Sequence, residues 1–229
     1  MPPSNRTTYE QLWEAAVERL PEFSPAEQRA GQALLALLTQ GEPVSASQLA
    51  SALGLPTEEA ERYLHESGLS ALVLSDDEGA ALGFFGLSTV PTDHRFIVDG
   101  RTLWAWCAAD TLFLPELIGA TASVESNDPV TGQAVTLTVS PTEVQSSQPV
   151  GIVVSMNSPE AWETTSAVRL IVTACHFIHF FGSQESGRQW TESHPDTVLL
   201  PLEEAFVYGL RQNARMFGAG LAERASSNS

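Results

Sequence analysis

Two cysteines and one aspartate are the residues whose types and spacing could do chemistry. Cys107 lies between a strand-like segment, residues 101–106, and a segment with helical character. Asp110 follows three residues later, which in a helix places both side chains on one face. A cysteine in the first turn of a helix has its thiolate favoured by the helix dipole. The carboxyl group of Asp110 could then accept the proton of this thiol and return it.

The only other cysteine, Cys175, lies far along the chain, ahead of a run of aromatic residues and histidines. Two thiols could together bind a soft metal ion, because thiolate sulfur is the ligand that soft metals prefer. The residues alone leave two simpler interpretations open. The cysteines could behave as small apolar core residues, or they could form an incidental disulfide.

Two histidines follow the second cysteine closely, at His176 and His179. Cys175 and His179 would share a face of either a helix or a strand, and with Cys107 they could offer zinc a mixed site. Zinc sites usually show tight paired spacings such as Cys-x-x-Cys, which this sequence lacks. We therefore expect His179 to be a packed residue or one that supports the site, and the roles of both histidines stay open.

Short motifs accompany these residues in a fixed order, at residues 104–112, 115–119 and 135–141, and at Cys175 ahead of His179. In this order they resemble the alkylmercury lyases, or organomercurial lyases, over roughly residues 30–215. The most specific parts are the stretch Trp-Cys-Ala-x-Asp-Thr-Leu and the late cysteine. Members of that family commonly carry further cysteines near residues 127–128 and directly after the position of Cys175, and this chain carries neither.

The resemblance implies an enzyme that cleaves the carbon–mercury bond by protonolysis, in the service of mercury resistance and detoxification. In the family, the residues matching Cys107 and Cys175 bind mercury as thiolates, and the residue matching Asp110 supplies the proton to carbon. The products would be a hydrocarbon and Hg(II), which would stay on the two cysteines with Asp110 nearby. Small thiols or a mercuric reductase would then accept the Hg(II), and no organic cofactor is needed.

Two other classes of function remain as alternatives. A non-catalytic protein could bind mercury, copper or zinc at the same thiols, and only Asp110 argues for cleavage over binding. A winged-helix regulator would use a helix-turn-helix in residues 44–67 to bind DNA. The candidate recognition helix there is acidic, with one Arg62 against the carboxylates of Glu58, Glu59, Glu61 and Glu66, so phosphate contacts would be repulsive.

Composition and charge limit the partners further. The formal net charge is −17, which disfavours nucleic acid as a partner. No run approaches the roughly 20 apolar residues that a membrane span needs, and the first residues lack the apolar core of a signal peptide. We therefore expect a cytoplasmic protein with reduced cysteines, no membrane partner and no nucleic-acid partner.

The periodicity of the chain predicts an α+β fold. Residues 1–90 are predicted to form a helical, winged helix-turn-helix-like module, and residues 91–225 a catalytic domain with a small, mainly antiparallel sheet flanked by helices. Alternating stretches at 95–106 and 121–139 predict two hairpins in that sheet. Residues 226–229 are predicted to be a disordered tail.

Overall fold

The computed structural model describes residues 8–218, which form eight helices and eleven strands. The helices are α1 (Thr8–Val17), α2 (Pro25–Leu38), α3 (Ala46–Leu53), α4 (Thr57–His65), α5 (Asp110–Ile118), α6 (Ala167–Thr173), α7 (Gln184–Ser193) and α8 (Leu202–Phe217). The strands are β1 (Val73–Ser75), β2 (Ala81–Phe84), β3 (Leu87–Ser88), β4 (His94–Val98), β5 (Arg101–Ala105), β6 (Ala122–Asn127), β7 (Ala134–Val139), β8 (Val144–Gln148), β9 (Val153–Asn157), β10 (Phe180–Phe181) and β11 (Thr197–Pro201).

The strands form two antiparallel sheets. The larger sheet has the strand order β1-β2-β3-β5-β4-β6-β7-β8, and the smaller has the order β10-β9-β11. All the strand pairs described within these sheets are antiparallel. The prediction of an α+β fold with a mainly antiparallel sheet is therefore confirmed, although the main sheet is larger than the small one expected.

The two predicted hairpins form the centre of the larger sheet. Strands β4 and β5 are joined by Asp99 and Gly100, whose φ angles of 50° and 75° suit the two-residue turn that favours a following glycine. Strands β6 and β7 alternate buried and exposed residues, so that one face of the hairpin packs into the core. Strand β5 leads directly into the turn that carries Cys107, so the β4–β5 hairpin positions the first cysteine.

Capping interactions mark the starts of helices α2 and α3. Ser24 with Glu27 and Ser45 with Gln48 form capping boxes at the starts of α2 and α3. Gly54 ends α3 in the left-handed conformation that glycine adopts without steric cost. Helices α3 and α4 pack together and are followed by the β1–β2 hairpin.

The expected division of the chain at residue 90 falls within the larger sheet. Strands β1 to β3 precede that residue and β4 to β8 follow it, yet all eight are hydrogen-bonded in one sheet. The division into two folding units stays a prediction, and the predicted tail at 226–229 lies outside the described residues. Within residues 8–218, none of the helices combines the length and the apolar character that crossing a membrane requires.

One continuous hydrophobic core unites the helices with the sheets. Helix α5, which begins at Asp110, packs against α8 and α2. Phe84 of β2 and Phe217 of α8 are fully buried in this core. The core therefore holds the start of α5 rigidly between the sheet and the helices, next to the segment that carries Cys175.

Candidate active site

The structure brings the three residues singled out from the sequence into one cluster. One ligand atom from each of Cys107, Asp110 and Cys175 lies within 4.8 Å of the others, and all three side chains are buried. Both cysteines are free thiols. Two thiols and a carboxyl group in contact form a set that suits a soft metal ion and also contains a proton donor.

Cys107 precedes helix α5 instead of lying in its first turn. The helix begins at Asp110, and Cys107 occupies the turn between β5 and α5. Burial raises the pKa of the Cys107 thiol well above its ordinary value, and its hydrogen bond to Cys175 and the charge of Asp110 raise it further. Burial therefore favours the neutral thiol of Cys107, and the expected effect of the helix dipole on its thiolate stays a prediction.

The other two groups of the cluster are also shifted toward their neutral forms. The hydrogen bond with Cys107 lowers the pKa of Cys175, but burial and the charge of Asp110 outweigh it and leave this pKa above its ordinary value. Burial raises the pKa of Asp110 to about 7, although hydrogen bonds from the thiol and the backbone of Cys107 oppose the shift. A carboxyl group with a pKa near neutrality can both accept and donate a proton under physiological conditions.

Backbone contacts fix the turn that holds the first cysteine. The backbone N–H of Cys107 donates to Oδ2 of Asp110 at 2.9 Å, which ties the carboxyl group to the start of the turn. The N–H of Ala108 donates to the carbonyl oxygen of Ile178 at 3.2 Å. The second contact joins the Cys107 turn to the segment that follows Cys175, so the two cysteines are held at a fixed separation.

Strand β9 supports the segment that carries the second cysteine. Ser155 is fully buried, and its hydroxyl donates to the carbonyl oxygen of Phe177 and accepts from the N–H of His179. Asn157 donates from Nδ2 to the carbonyl oxygen of Thr173 at 2.7 Å. These two side chains hold the backbone on both sides of Cys175, which itself begins a short 3₁₀ turn.

The turn between β2 and β3 contacts Asp110 directly. Phe85 and Gly86 form this two-residue turn with φ angles of 47° and 93°. A Cβ atom at Gly86 would lie 2.6 Å from Cγ of Asp110, so the carboxyl group packs against the glycine backbone. An aromatic residue at positive φ is uncommon and costs on the order of 1–3 kcal/mol, which the surrounding core must offset. The strained turn therefore shapes the pocket of the proposed proton donor.

Gly86→Ala is expected to lower the rate of proton transfer from Asp110 by roughly 10²-fold, because the added methyl group must displace the carboxyl group or the turn. Gly100→Ala is the matched control. Gly100 occupies the equivalent position of another two-residue turn at a φ of 75°, but no atom lies within 4 Å of its added Cβ. Both variants should lose stability, measured by urea unfolding, while only Gly86→Ala should lose turnover. Equal turnover in the two variants would contradict a positioning role for Gly86.

An apolar cavity of about 180 Å³ opens onto the cluster. Its wall includes Cys107, Asp110 and Cys175, together with Phe85, Phe113, Met156, Trp162, Leu170, Ile178 and Met216. Apolar cavities of about 150 Å³ accommodate benzene, so this one is large enough for an aromatic ring. The arrangement can thus hold a hydrophobic group with its attached metal at the two sulfurs.

The histidines are not part of the cluster. Among residues 8–218, the one group of closely spaced metal-ligating atoms contains neither His176 nor His179. Nε2 of His179 lies 2.9 Å from the carbonyl oxygen of His176, so this nitrogen donates its hydrogen to the backbone. The side chain of His179 packs edge-on against Trp190. This geometry agrees with the expectation of a packed histidine and gives no support to a mixed zinc site.

Comparison with known proteins assigns the family. The family model described as alkylmercury lyase matches residues 87–212. An alkylmercury lyase from Staphylococcus epidermidis is 39% identical over 187 residues, which is 82% of each chain. The chain belongs to the alkylmercury lyase family. A family member from Streptomyces lividans is 37% identical over 176 residues, which is 77% of this chain and 78% of that protein.

A solved structure supports the same assignment at the level of the fold. The crystal structure of the mercury-bound form of MerB2 matches with a TM-score of 0.67 and 25% sequence identity. The match covers 89% of this chain and 96% of that chain. The resemblance to alkylmercury lyases is therefore confirmed, whereas the individual roles of Cys107, Asp110 and Cys175 stay predictions.

Three supporting residues of the site were not identified from the sequence. Gly86, Ser155 and Asn157 act through backbone contacts with segments that are distant along the chain. The Phe85–Gly86 pair between apolar residues was a weak signal for a tight turn, because such turns favour asparagine or aspartate before the glycine. Two polar residues in the apolar strand β9 were a signal for buried hydrogen bonds, although not for their partners.

Proposed function

We propose that this protein cleaves the carbon–mercury bond of organomercury compounds by protonolysis, with Cys107 and Cys175 as mercury ligands and Asp110 as the general acid. The observation that carries the proposal is the contact of two thiols and one carboxyl group, within 4.8 Å of one another, at the wall of an apolar cavity. Soft mercury prefers thiolate sulfur, and the organic group attached to it suits an apolar environment.

The proposed reaction begins with capture of the organomercury cation by one thiol. The thiol loses its proton as its sulfur binds mercury, and the second thiol then binds and loses its own proton. Two thiolates on mercury raise the electron density at the attached carbon and weaken the carbon–mercury bond. One of the two protons is transferred to carbon, the other leaves to solvent, and Hg(II) stays bound to both sulfurs without any change in its oxidation state.

Asp110 is the group best placed to transfer that proton. Its pKa of about 7 allows it to accept a proton when a thiol binds mercury and to donate the proton to carbon afterwards. Its Oδ2 is held by the N–H of Cys107, so the carboxyl group stays next to the sulfur throughout. No described group outside this cluster is needed for the transfer, and no organic cofactor takes part in the proposed steps.

Phenylmercury with an excess of a small thiol is the direct test of the function. Its ring suits a cavity of about 180 Å³, and its cleavage product, benzene, is measured by gas chromatography. We expect benzene to form in proportion to protein and time, and none to form in buffer with thiol alone. Mercury bound to the protein without release of benzene would instead support the non-catalytic soft-metal binding protein.

The proposed setting is the cytoplasm, where small thiols are kept reduced. Hg(II) would leave the two cysteines by exchange with such thiols or by transfer to a mercuric reductase. The proposed role is detoxification, because the reaction converts an apolar mercury compound into Hg(II) that thiols can carry away.

We further propose that the described part of residues 1–90 forms a winged-helix-like module with a packing role. Helices α3 and α4 followed by the β1–β2 hairpin support this description. The acidic residues of α4 at Glu58, Glu59 and Glu61 argue against contact with phosphates. The module instead supplies Phe85 and Gly86 to the site through its strands.

A further inference from the structure

Cys175 lies between two cavities. It contributes to the wall of the apolar cavity together with Cys107 and Asp110. It also contributes to a second depression of about 450 Å³, formed by residues 92–94, 106, 171–172, 175–176 and 179, which we call the histidine depression. Cys107 and Asp110 are not among the residues that form the histidine depression. Of the three groups in the cluster, Cys175 alone is therefore shared by both.

The two cavities differ in size and in the residues that form them. The apolar cavity is lined mainly by aromatic and aliphatic side chains and matches the size of one organic group. The histidine depression is larger, and its mainly apolar surface includes the polar residues Asp93, His94 and His176. Its outer parts are open to solvent, because Asp93 and His176 are exposed. A small molecule can reach Cys175 through this depression without crossing the apolar cavity.

Removal of the Hg(II) product requires a small molecule to come close to the cysteines that bind it. Hg(II) on two thiolates dissociates readily only by exchange, in which an incoming thiolate binds mercury before a protein thiolate leaves. The incoming sulfur must therefore come within bonding distance of the metal. Cys107 is 2% exposed and Cys175 is 7% exposed, and both are buried from the bulk solvent. Access for an incoming thiol thus depends on a cavity that ends at a cysteine.

We propose that the histidine depression is a binding site for a small thiol, which enters there and displaces Cys175 from Hg(II). This inference rests on the proposed function, since it concerns the product that the lyase reaction would leave on the protein. It assigns separate openings to the two reactants, with the organomercury compound in the apolar cavity and the thiol in the histidine depression.

The exchange balances without any oxidant or reductant. The sulfur of the incoming thiol forms a bond to Hg(II), and the bond between Hg(II) and Sγ of Cys175 breaks. The proton of the incoming thiol passes to the released Cys175. A second thiol displaces Cys107 in the same way, so two thiols are consumed, both cysteines regain their protons, and a bis-thiolate complex of Hg(II) leaves.

A tryptophan placed in the depression tests the proposal. Val172 lies on α6, is 54% exposed and forms part of the depression, so the indole of Val172→Trp should obstruct it. Val168→Trp is the matched control, because Val168 lies one turn earlier on the same helix, is 56% exposed and belongs to the wall of neither cavity. Asp93→Trp introduces an indole from the segment before β4, which also lines the depression, and serves as a second variant.

The measurement starts from protein loaded with one equivalent of Hg(II) chloride, so that it does not depend on cleavage of a carbon–mercury bond. Excess glutathione is added, and Hg(II) that has left the protein is quantified by rapid filtration and atomic fluorescence. We expect Val172→Trp and Asp93→Trp to release Hg(II) roughly tenfold or more slowly than the wild type. Val168→Trp should release it at the wild-type rate, and with the smaller 2-mercaptoethanol the two obstructing variants should show a weaker effect.

Single-turnover release of benzene from phenylmercury separates this proposal from the proposed function. We expect the two obstructing variants to keep the wild-type rate of that step, because the organic group occupies the other cavity. Wild-type rates of Hg(II) release in both obstructing variants would overturn the proposal, as would an equal decrease in Val168→Trp. Absence of benzene from the wild-type protein would contradict the lyase function but would leave the Hg(II) release experiment valid.

Discussion

Asp110→Asn is expected to bind organomercury compounds normally and to release hydrocarbon about 10²–10⁴-fold more slowly than the wild type, which is the usual contribution of a positioned general acid. Binding requires only the two thiols, which the substitution leaves in place. The amide has nearly the shape of the carboxyl group, and its oxygen can still accept the hydrogen bond from the N–H of Cys107. The amide has no acidic proton to donate, so cleavage of the carbon–mercury bond should be lost selectively.

Mass spectrometry of the intact protein would follow the organomercury adduct, and gas chromatography would follow the released hydrocarbon. Asp128→Asn is the matched control, because Asp128 is a second buried aspartate, 1% exposed, whose carboxylate accepts from the N–H groups of Val130, Thr131 and Gly182. It is absent from the wall of the apolar cavity. This control should lose stability but keep its rate of hydrocarbon release.

Two results would contradict the role of Asp110. Hydrocarbon release at close to the wild-type rate in Asp110→Asn would show that the proton comes from another group or from solvent. Loss of organomercury binding would show that Asp110 supports the two thiols structurally. Asp110→Ala separates these outcomes further, because it removes both the proton and the hydrogen bond to Cys107, whereas the asparagine removes only the proton.

The sequence predicted those parts of the fold that local patterns control. The hairpins over 95–106 and 121–139 were predicted because alternation and turn residues are local signals, and the structure has strands at both places. Strand β8 was not predicted, because its residues Val144–Gln148 are mostly polar and exposed at an edge of the sheet. Edge strands of this kind lack the apolar alternation by which a buried strand is recognised.

The identity of the site residues was predicted better than their environment. Cys107 and Asp110 were assigned to one helix turn from their spacing alone, whereas the helix begins at Asp110 and Cys107 precedes it. Ala109 occupies the capping position without a side-chain hydrogen bond, so no capping residue marked the true start. The direction of the shift in the pKa of Cys107 followed from its burial, which depends on distant segments such as the one around Ile178.

The approach of Cys175 to Cys107 is a property of the tertiary structure. The segment after Cys175 was expected to be strand-like throughout, but it forms a 3₁₀ turn over Cys175–Phe177 before the short strand β10. Hydrogen bonds from Ser155 and Asn157 of β9 hold this segment in place. No local pattern encodes such contacts. The residues alone left joint metal binding by the two cysteines as one interpretation among several, and the resemblance to a family favoured it.

Serine in place of either cysteine is expected to abolish turnover, because a hydroxyl oxygen is a hard ligand and binds mercury poorly. The chain contains only two cysteines, so Cys107→Ser and Cys175→Ser each keep a single thiol. Each variant should still capture one organomercury cation on that thiol and retain it, with no second thiolate to weaken the carbon–mercury bond. Hydrocarbon release should fall to the level of the buffer with free thiol.

Intact-protein mass spectrometry should therefore detect a stable adduct that carries both mercury and its organic group, whereas the wild type should carry mercury alone. Cys107→Ala and Cys175→Ala are the control variants that distinguish loss of the thiol from loss of stability. Both cysteines are buried, so a polar serine lowers the free energy of unfolding through its buried hydroxyl group, which alanine lacks. If chemistry needs the thiol, alanine and serine variants lose turnover equally, whatever their free energies of unfolding. A Cys175→Ser or Cys175→Ala enzyme that released hydrocarbon at the wild-type rate would make Cys175 a packing residue, and activation of the carbon–mercury bond would then depend on Cys107 and Asp110 alone.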